Sequence, residues 1–85
     1  MKVKELKELL NILPDNMEII LQKDAEGNGY SPLSGGDSDN IYVSNSSYSG
    51  KIYDTNWTAD DCCMSEEEHN WIMSKERVLV LYPMN

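Results

Sequence analysis

The sequence has 85 residues and a mass of 9.7 kDa, which limits it to one small domain without a separate cofactor or substrate domain. Lysine and arginine total 7 against 15 aspartates and glutamates, so the formal net charge is −8. Binding to DNA, RNA or an anionic membrane requires clustered cationic side chains, and this composition argues against all three. The charge favours basic partners, including proteins that themselves hold nucleic acid.

The first predicted element is an amphipathic helix. A one-sided apolar stripe at helical spacing runs from residue 3 to about residue 12, and Pro14 ends it because the residue before a proline disfavours helical geometry. Residues 17–23 (MEIILQK) follow, and their short apolar centre predicts a buried strand. The helical stripe consists of Val3, Leu6, Leu9, Leu10 and Leu13.

The middle of the chain is rich in glycine, serine, asparagine and tyrosine, and all five glycines lie between residues 24 and 56. Residues 24–40 show no clear period and predict a long loop of the kind that is usually functional or disordered. Two short segments, 41–44 and 51–54, predict strands joined by a turn at 47–50.

Two helix starts and one strand are indicated towards the end of the chain. Thr58 with Asp61 and Ser65 with Glu68 have the spacing of capping boxes, in which each side chain bonds the main-chain amide of the other residue. Ser65 opens a predicted helix of about ten residues. Residues 77–82 (RVLVLY) form the strongest strand pattern of the chain. We expect the core to contain Trp71 and every second tyrosine.

The resulting order of elements, α-β-β-β-α-β, predicts an α+β fold in a single small domain that spans residues 1–85. We expect an antiparallel or mixed sheet with the two helices on one face. The two most apolar strands, 17–23 and 77–82, are expected at the centre of the sheet.

No complete catalytic or metal-binding motif is present. Residues 24–29 resemble the first half of a calcium loop, but Gly35 stands where the bidentate glutamate belongs. Cys62, Cys63 and His69 are the only soft ligands, and they lack the spacing of a structural zinc site. An enzyme with a Cys–His nucleophilic pair ranks last, since such a pair also needs a group that orients the base. We predict no enzyme activity, no metal and no cofactor.

The compartment is expected to be the cytoplasm. The first ten residues, MKVKELKELL, interleave charged and apolar side chains, and nowhere do 18 apolar residues run together. A reducing compartment agrees with the adjacent Cys62 and Cys63, because a disulfide between neighbouring cysteines would close a strained ring.

Five carboxylates are concentrated between residues 60 and 68. Helix capping and the helix dipole explain part of this cluster without any function. A negative face on a rigid scaffold is also able to dock into a basic groove, and tryptophan is enriched at protein interfaces. The predicted partner-binding face therefore consists of Trp57, Asp60, Asp61, Glu66, Glu67 and Glu68.

A second interpretation is a site for a small nucleotide. Glycine permits close approach of a ligand to the backbone around residues 27–32, and aromatic side chains offer stacking faces for a base. The weakness of this hypothesis is the small number of cations that are available to hold a phosphate, although oligomerisation would concentrate them. The predicted ligand-binding residues are Asn28, Gly29, Tyr30, Lys51, Trp57 and Arg77.

Several strings carry a likeness to known proteins: VKEL at 3–6 with LPD at 13–15, KDAEGNGYSPL at 23–33, WTADD at 57–61, MSEEE at 64–68 and RVLVLYP at 77–83. On these strings the chain resembles a family of small accessory proteins of tailed bacteriophages over nearly its whole length, least at 37–49. The resemblance implies a protein made inside a bacterium. Small proteins of that kind are often non-enzymatic and bind host factors or host defence signals.

The first hypothesis is a non-enzymatic binding protein that neutralises a host bacterial protein, in host takeover or anti-defence, by protein–protein capture through the acidic face. The alternative is a sponge that sequesters a small nucleotide immune signal as a homo-oligomer. Both hypotheses place the protein in the cytoplasm of the bacterial host, with no direct nucleic-acid binding and no membrane contact.

Overall fold

The computed structural model describes all residues from Met1 to Asn85 and contains two helices and four strands. The predicted order α-β-β-β-α-β and the α+β class are confirmed, and the sheet is antiparallel. Neither helix has the length and apolar character needed to cross a membrane. The elements are α1 (Val3–Leu10), β1 (Ile20–Gln22), β2 (Tyr30–Ser44), β3 (Gly50–Asp54), α2 (Glu66–Met73) and β4 (Arg77–Pro83).

The chain divides into two compact units. The first unit comprises Met1–Leu33 and Pro83–Asn85, with α1, β1 and the beginning of β2. The second unit comprises Ser34–Tyr82, with the rest of β2 and with β3, α2 and β4. The predictions of a single domain over residues 1–85 and of two helices on one face of the sheet stay predictions.

The sheet is built around β2, which corrects two predictions. Each of β1, β3 and β4 pairs with β2, so the apolar segments 17–23 and 77–82 lie beside the central strand and do not form it. The predicted loop at 24–40 is wrong beyond residue 29, because β2 begins at Tyr30. Pairing with three partner strands outweighs the low strand propensity of the glycine, serine and aspartate residues in this segment.

In the second unit, β2 and β3 form a hairpin whose register runs from Asn40 opposite Asp54 to Ser44 opposite Gly50. The predicted strands at 41–44 and 51–54 are confirmed as parts of this hairpin. All of the buried apolar residues of the chain belong to this unit. They are Ile41, Ala59 and Ile72.

Gly36 permits the close approach of β2 and β4 in this unit. A Cβ atom on Gly36 would lie 3.0 Å from the carbonyl oxygen of Val80, which is backbone and has little freedom to move. The neighbouring Gly35 has nothing within 4 Å of the same position. Of these two neighbouring glycines, only Gly36 is required by packing, and the pair, which indicated a loop in the sequence, lies inside a strand.

In the first unit, an ordered loop joins β1 to β2. The carboxylate of Asp24 accepts hydrogen bonds from the main-chain amides of Glu26 (2.9 Å) and Asn28 (3.1 Å) and from the side-chain amide of Asn28 (3.0 Å). These bonds, those from Asn28 first, hold the pKa of Asp24 below its ordinary value. Gly27 has a φ of 79°, a conformation that costs glycine little.

The helix α1 is shorter than predicted, since it ends at Leu10, and β1 covers only three residues of the predicted strand 17–23. At the start of α1 the Lys2 main-chain amide donates to the Glu5 carboxylate at 3.2 Å. None of the residues of α1 is buried.

The prediction of an aromatic core is wrong. The side chain of Trp71 is 56% exposed, and the Lys75 ammonium lies 4.3 Å from the centre of its ring in a cation–π contact. Among the tyrosines only Tyr53 is half-buried, and Tyr48 is almost fully exposed. Ala59 and Ile72, at 4% exposure each, are buried in this unit in place of the tryptophan.

Candidate functional site

The turn at residues 57–61 follows directly after β3 and is closed by a complete capping box. The amide of Trp57 donates to the carbonyl of Asp54 at 3.1 Å, which fixes the start of the turn. The Thr58 amide donates to the Asp61 carboxylate at 2.9 Å, and the Asp61 amide donates to the Thr58 hydroxyl at 3.2 Å. Ala59 is buried beneath them. The sequence-predicted role of Thr58 and Asp61 is confirmed.

The start of α2 carries the other three carboxylates of the predicted face. Ser65 is the N-cap residue, and its hydroxyl accepts the predicted hydrogen bond of 3.2 Å from the Glu68 amide. The predicted return bond from the Ser65 amide to the Glu68 carboxylate is not formed, so the capping box is only half complete. Glu66, Glu67 and Glu68 form the first turn of the helix and are exposed. Acidic side chains at this end are stabilised by the partial positive charge of the free amides.

His69 connects these two acidic segments. Its Nε2 atom lies 2.8 Å from the carbonyl oxygen of Trp57, and because a carbonyl only accepts, the imidazole donates this bond. Ile72, one turn further along α2, is buried and fixes the helix against the unit. The turn that carries Asp60 and Asp61 and the helix that carries the three glutamates are thereby held as one scaffold.

The electrostatics of this face are dominated by negative charge. The amide and hydroxyl of Thr58 hold the pKa of Asp61 below its ordinary value, so its carboxylate stays ionised well into the acid range. The salt bridge of the structure, between Arg77 and Asp39 at 2.8 Å, involves none of the five carboxylates of the face. Their charge is therefore available to an external cation.

Trp57 supplies an apolar element next to these carboxylates. Its side chain is 45% exposed although its main chain is fixed by two hydrogen bonds, one to Asp54 and one from His69. An indole whose backbone is already ordered loses little conformational freedom on binding. The structure thus brings all six predicted partner-binding residues into the second unit, on one connected scaffold.

Sequence reasoning missed two features of this region. The contact between His69 and Trp57 joins residues 12 positions apart, and no local pattern indicates it. The stacking of Lys75 on Trp71 has a readable pattern, because residues four apart on a helix are neighbours on its surface.

The surroundings of Cys62 disfavour its thiolate form. Burial and the adjacent Asp61 carboxylate raise the pKa of the Cys62 thiol, which favours its unreactive protonated form. The Nε2 atom of His69 is engaged with the Trp57 carbonyl. Cys63 is exposed and has a φ of 55°, in the left-handed region. No group of three histidine, cysteine, aspartate or glutamate side chains is close enough to hold a metal ion.

The residues predicted for the alternative nucleotide site belong to both units, with Asn28, Gly29 and Tyr30 in the first and the other three in the second. The Asn28 side chain is used within the loop, where it donates to Asp24. The guanidinium of Arg77 donates to Asp39 at 2.8 Å. The grouping of these six residues around one ligand, which includes Lys51 and Trp57, stays a prediction.

Comparison of the chain with protein-family models, with curated proteins and with solved structures found no match in any of the three. The resemblance to phage accessory proteins therefore stays a prediction. The structure is that of a small α+β protein in which an acidic turn and an acidic helix start are joined by the bond between His69 and Trp57.

Proposed function

We propose that the chain is a non-enzymatic binding protein that captures a basic partner protein through its acidic face. The observation that carries this proposal is the 2.8 Å hydrogen bond from His69 to the Trp57 carbonyl, which joins the turn 57–61 to the start of α2. Five exposed carboxylates and one exposed indole are thereby presented together before any partner arrives. Such preorganisation lowers the conformational cost of association.

The chemistry of the face defines the partner. Carboxylates that are free of internal ion pairs attract a surface rich in lysine and arginine, and a net charge of −8 accelerates the encounter at low salt. The partner surface also has to accommodate the Trp57 indole, because aromatic anchors supply much of the binding energy at protein interfaces. A groove that normally binds nucleic acid combines cations with stacking or apolar surfaces and fits both requirements.

The biological role that we propose is neutralisation of a host bacterial protein, in host takeover or anti-defence. Support for this step comes from the sequence strings that resemble small phage accessory proteins. Blocking a basic groove requires no catalysis, and a rigid face on a chain of 85 residues is sufficient for it.

The test compares two variants with the same net charge. The face variant carries Asp60→Asn, Glu66→Gln, Glu67→Gln and Glu68→Gln, and it retains the Asp61 carboxylate that closes the capping box. The control variant neutralises four carboxylates of the first unit and carries Glu8→Gln, Asp15→Asn, Glu18→Gln and Glu26→Gln. Each protein is immobilised, exposed to a bacterial lysate at low salt, and the retained proteins are quantified by mass spectrometry.

We expect the wild type and the control variant to retain the same basic protein and the face variant to lose it. Circular dichroism establishes that all three proteins are folded. A third variant, Trp57→Ala, is expected to weaken retention without any change of charge. Equal retention by the face variant and the control variant, or retention of no basic protein by the wild type, would contradict the proposal.

A further inference from the structure

The first unit has almost no core of its own. It contains about 36 residues, and none of the buried apolar residues of the chain belongs to it. Units of fewer than about 40 residues rarely bury enough apolar surface to be stable without additional support. The first unit therefore needs a further contact that buries its apolar side chains.

Those side chains are concentrated on α1 and the segment that follows it. The helix has the apolar stripe that its sequence predicts, yet it buries no residue, and Leu6 is only half-buried. Eight large apolar residues between positions 3 and 20 are exposed, with exposed fractions between 38% and 80%. They are Val3, Leu9, Leu10, Ile12, Leu13, Met17, Ile19 and Ile20.

The surface area of the chain agrees with a missing contact. Its accessible surface is 7004 Å², whereas a folded monomer of 9.7 kDa exposes about 5,100 Å². The excess belongs to the whole chain, and the exposed apolar side chains between residues 3 and 20 contribute to it.

The distribution of charge also favours a second copy. Two chains with a net charge of −8 repel each other, so contact is least costly where the acidic excess is absent. Residues 1–13 are the exception in this acidic chain, since three lysines outnumber two glutamates there. An apolar face without net negative charge is self-complementary, and a two-fold axis brings the same patch of both copies together.

We propose that the α1 face, consisting of Val3, Leu6, Leu9 and Leu10 of the helix with Leu13 just beyond its end, packs against the same face of a second copy in an isologous homodimer. The contact covers the exposed stripe of both helices and supplies the first unit with the apolar burial that it lacks. This proposal is independent of the acidic face, which lies entirely in the second unit.

The test measures the mass of the full chain by sedimentation equilibrium between 1 and 100 µM, with a reductant that keeps the exposed Cys63 from forming an intermolecular disulfide. We expect a mass of about 19 kDa for the wild type, twice that of one chain. The double variant Leu9→Gln with Leu10→Gln is expected to raise the dimer dissociation constant at least about a hundredfold, because both copies lose two apolar side chains. The control Tyr48→Gln changes an exposed residue of the second unit and should leave the mass unchanged.

A monomeric wild type at 100 µM, or a dimer that the double variant leaves intact, would overturn the proposal. A monomer that instead sediments with phosphatidylglycerol vesicles would assign the α1 face to a lipid surface and would also overturn it. If the double variant does not fold, hydrogen exchange of the wild type tests whether α1 lies in a dimer interface. The amides of α1 are expected to exchange more slowly as protein concentration rises, and exchange that is independent of concentration would exclude the dimer.

Discussion

The imidazole of His69 donates a hydrogen bond of 2.8 Å to the main-chain carbonyl of Trp57, which lies 12 residues earlier in the chain. This bond holds the acidic turn after β3 against the acidic first turn of α2. The His69 side chain is half-buried, so the bond contributes to stability as well as to the geometry of the face.

Replacing His69 by Ala is expected to lower the free energy of unfolding by about 1 kcal/mol, since a carbonyl acceptor loses its donor. Urea denaturation followed by tryptophan fluorescence measures the change. In His69→Gln the side-chain amide can still donate, so this variant should retain part of the lost stability. Equal stability of His69→Ala and the wild type would show that the bond does not hold the turn.

Gly36→Ala is expected to destabilise the protein by about 1–3 kcal/mol, because the new methyl group meets the Val80 carbonyl oxygen at 3.0 Å. Gly35→Ala provides the matched control, since that position is open and the substitution reduces the entropy of the unfolded chain. Thermal unfolding of the two variants should therefore give a lower melting temperature for Gly36→Ala alone. An equal decrease of the melting temperature in both variants would indicate that alanine is generally unfavourable in β2. It would contradict a specific clash between residue 36 and the Val80 carbonyl of β4.

Asp61→Asn is expected to lower the melting temperature at pH 7, because the Thr58 amide donates a hydrogen bond to the ionised carboxylate and the Thr58 hydroxyl lies beside it. These contacts hold the pKa of Asp61 in the folded protein below the ordinary value of about 3.9. The stabilisation is therefore fully present above that value and is lost as the pH falls through the lowered pKa. Melting temperatures measured from pH 7 to pH 2 should converge for the variant and the wild type at the acid end.

Asp60→Asn is the control for this titration, since Asp60 is the neighbouring carboxylate of the same turn and the capping box uses Asp61. Its melting temperature should stay close to that of the wild type at pH 7. If the difference in melting temperature between Asp61→Asn and the wild type stayed constant down to pH 2, the Asp61 carboxylate would not be the origin of that difference.

Cys63→Gly is expected to be more stable than Cys63→Ala by about 1 kcal/mol. Both variants remove the thiol, but residue 63 has a φ of 55°, and a Cβ atom in the left-handed region costs about 1–2 kcal/mol. The larger entropy of glycine in the unfolded chain offsets part of this gain. Chemical denaturation under reducing conditions compares the two proteins, and a less stable Cys63→Gly would contradict the assigned backbone conformation.

Features that depend on neighbouring residues could be predicted before the fold was known. The capping residues Thr58 and Ser65 were predicted because their partners lie three positions along the chain. The helical stripe of α1, the strand pattern of β4 and the order of elements were predicted for the same reason, since periodicity reports local conformation. Composition predicted the acidic character of the candidate face.

Features that join distant parts of the chain could not be predicted and are seen only in the folded protein. β2 is a strand in spite of its glycines because three other strands pair with it, and Gly36 has its role only because Val80 lies opposite. The exposure of Trp71 and the bond between His69 and Trp57 likewise depend on how α2 packs within its unit. Contacts between residues that are far apart in sequence leave no local period, and they outweigh intrinsic propensity where many of them converge.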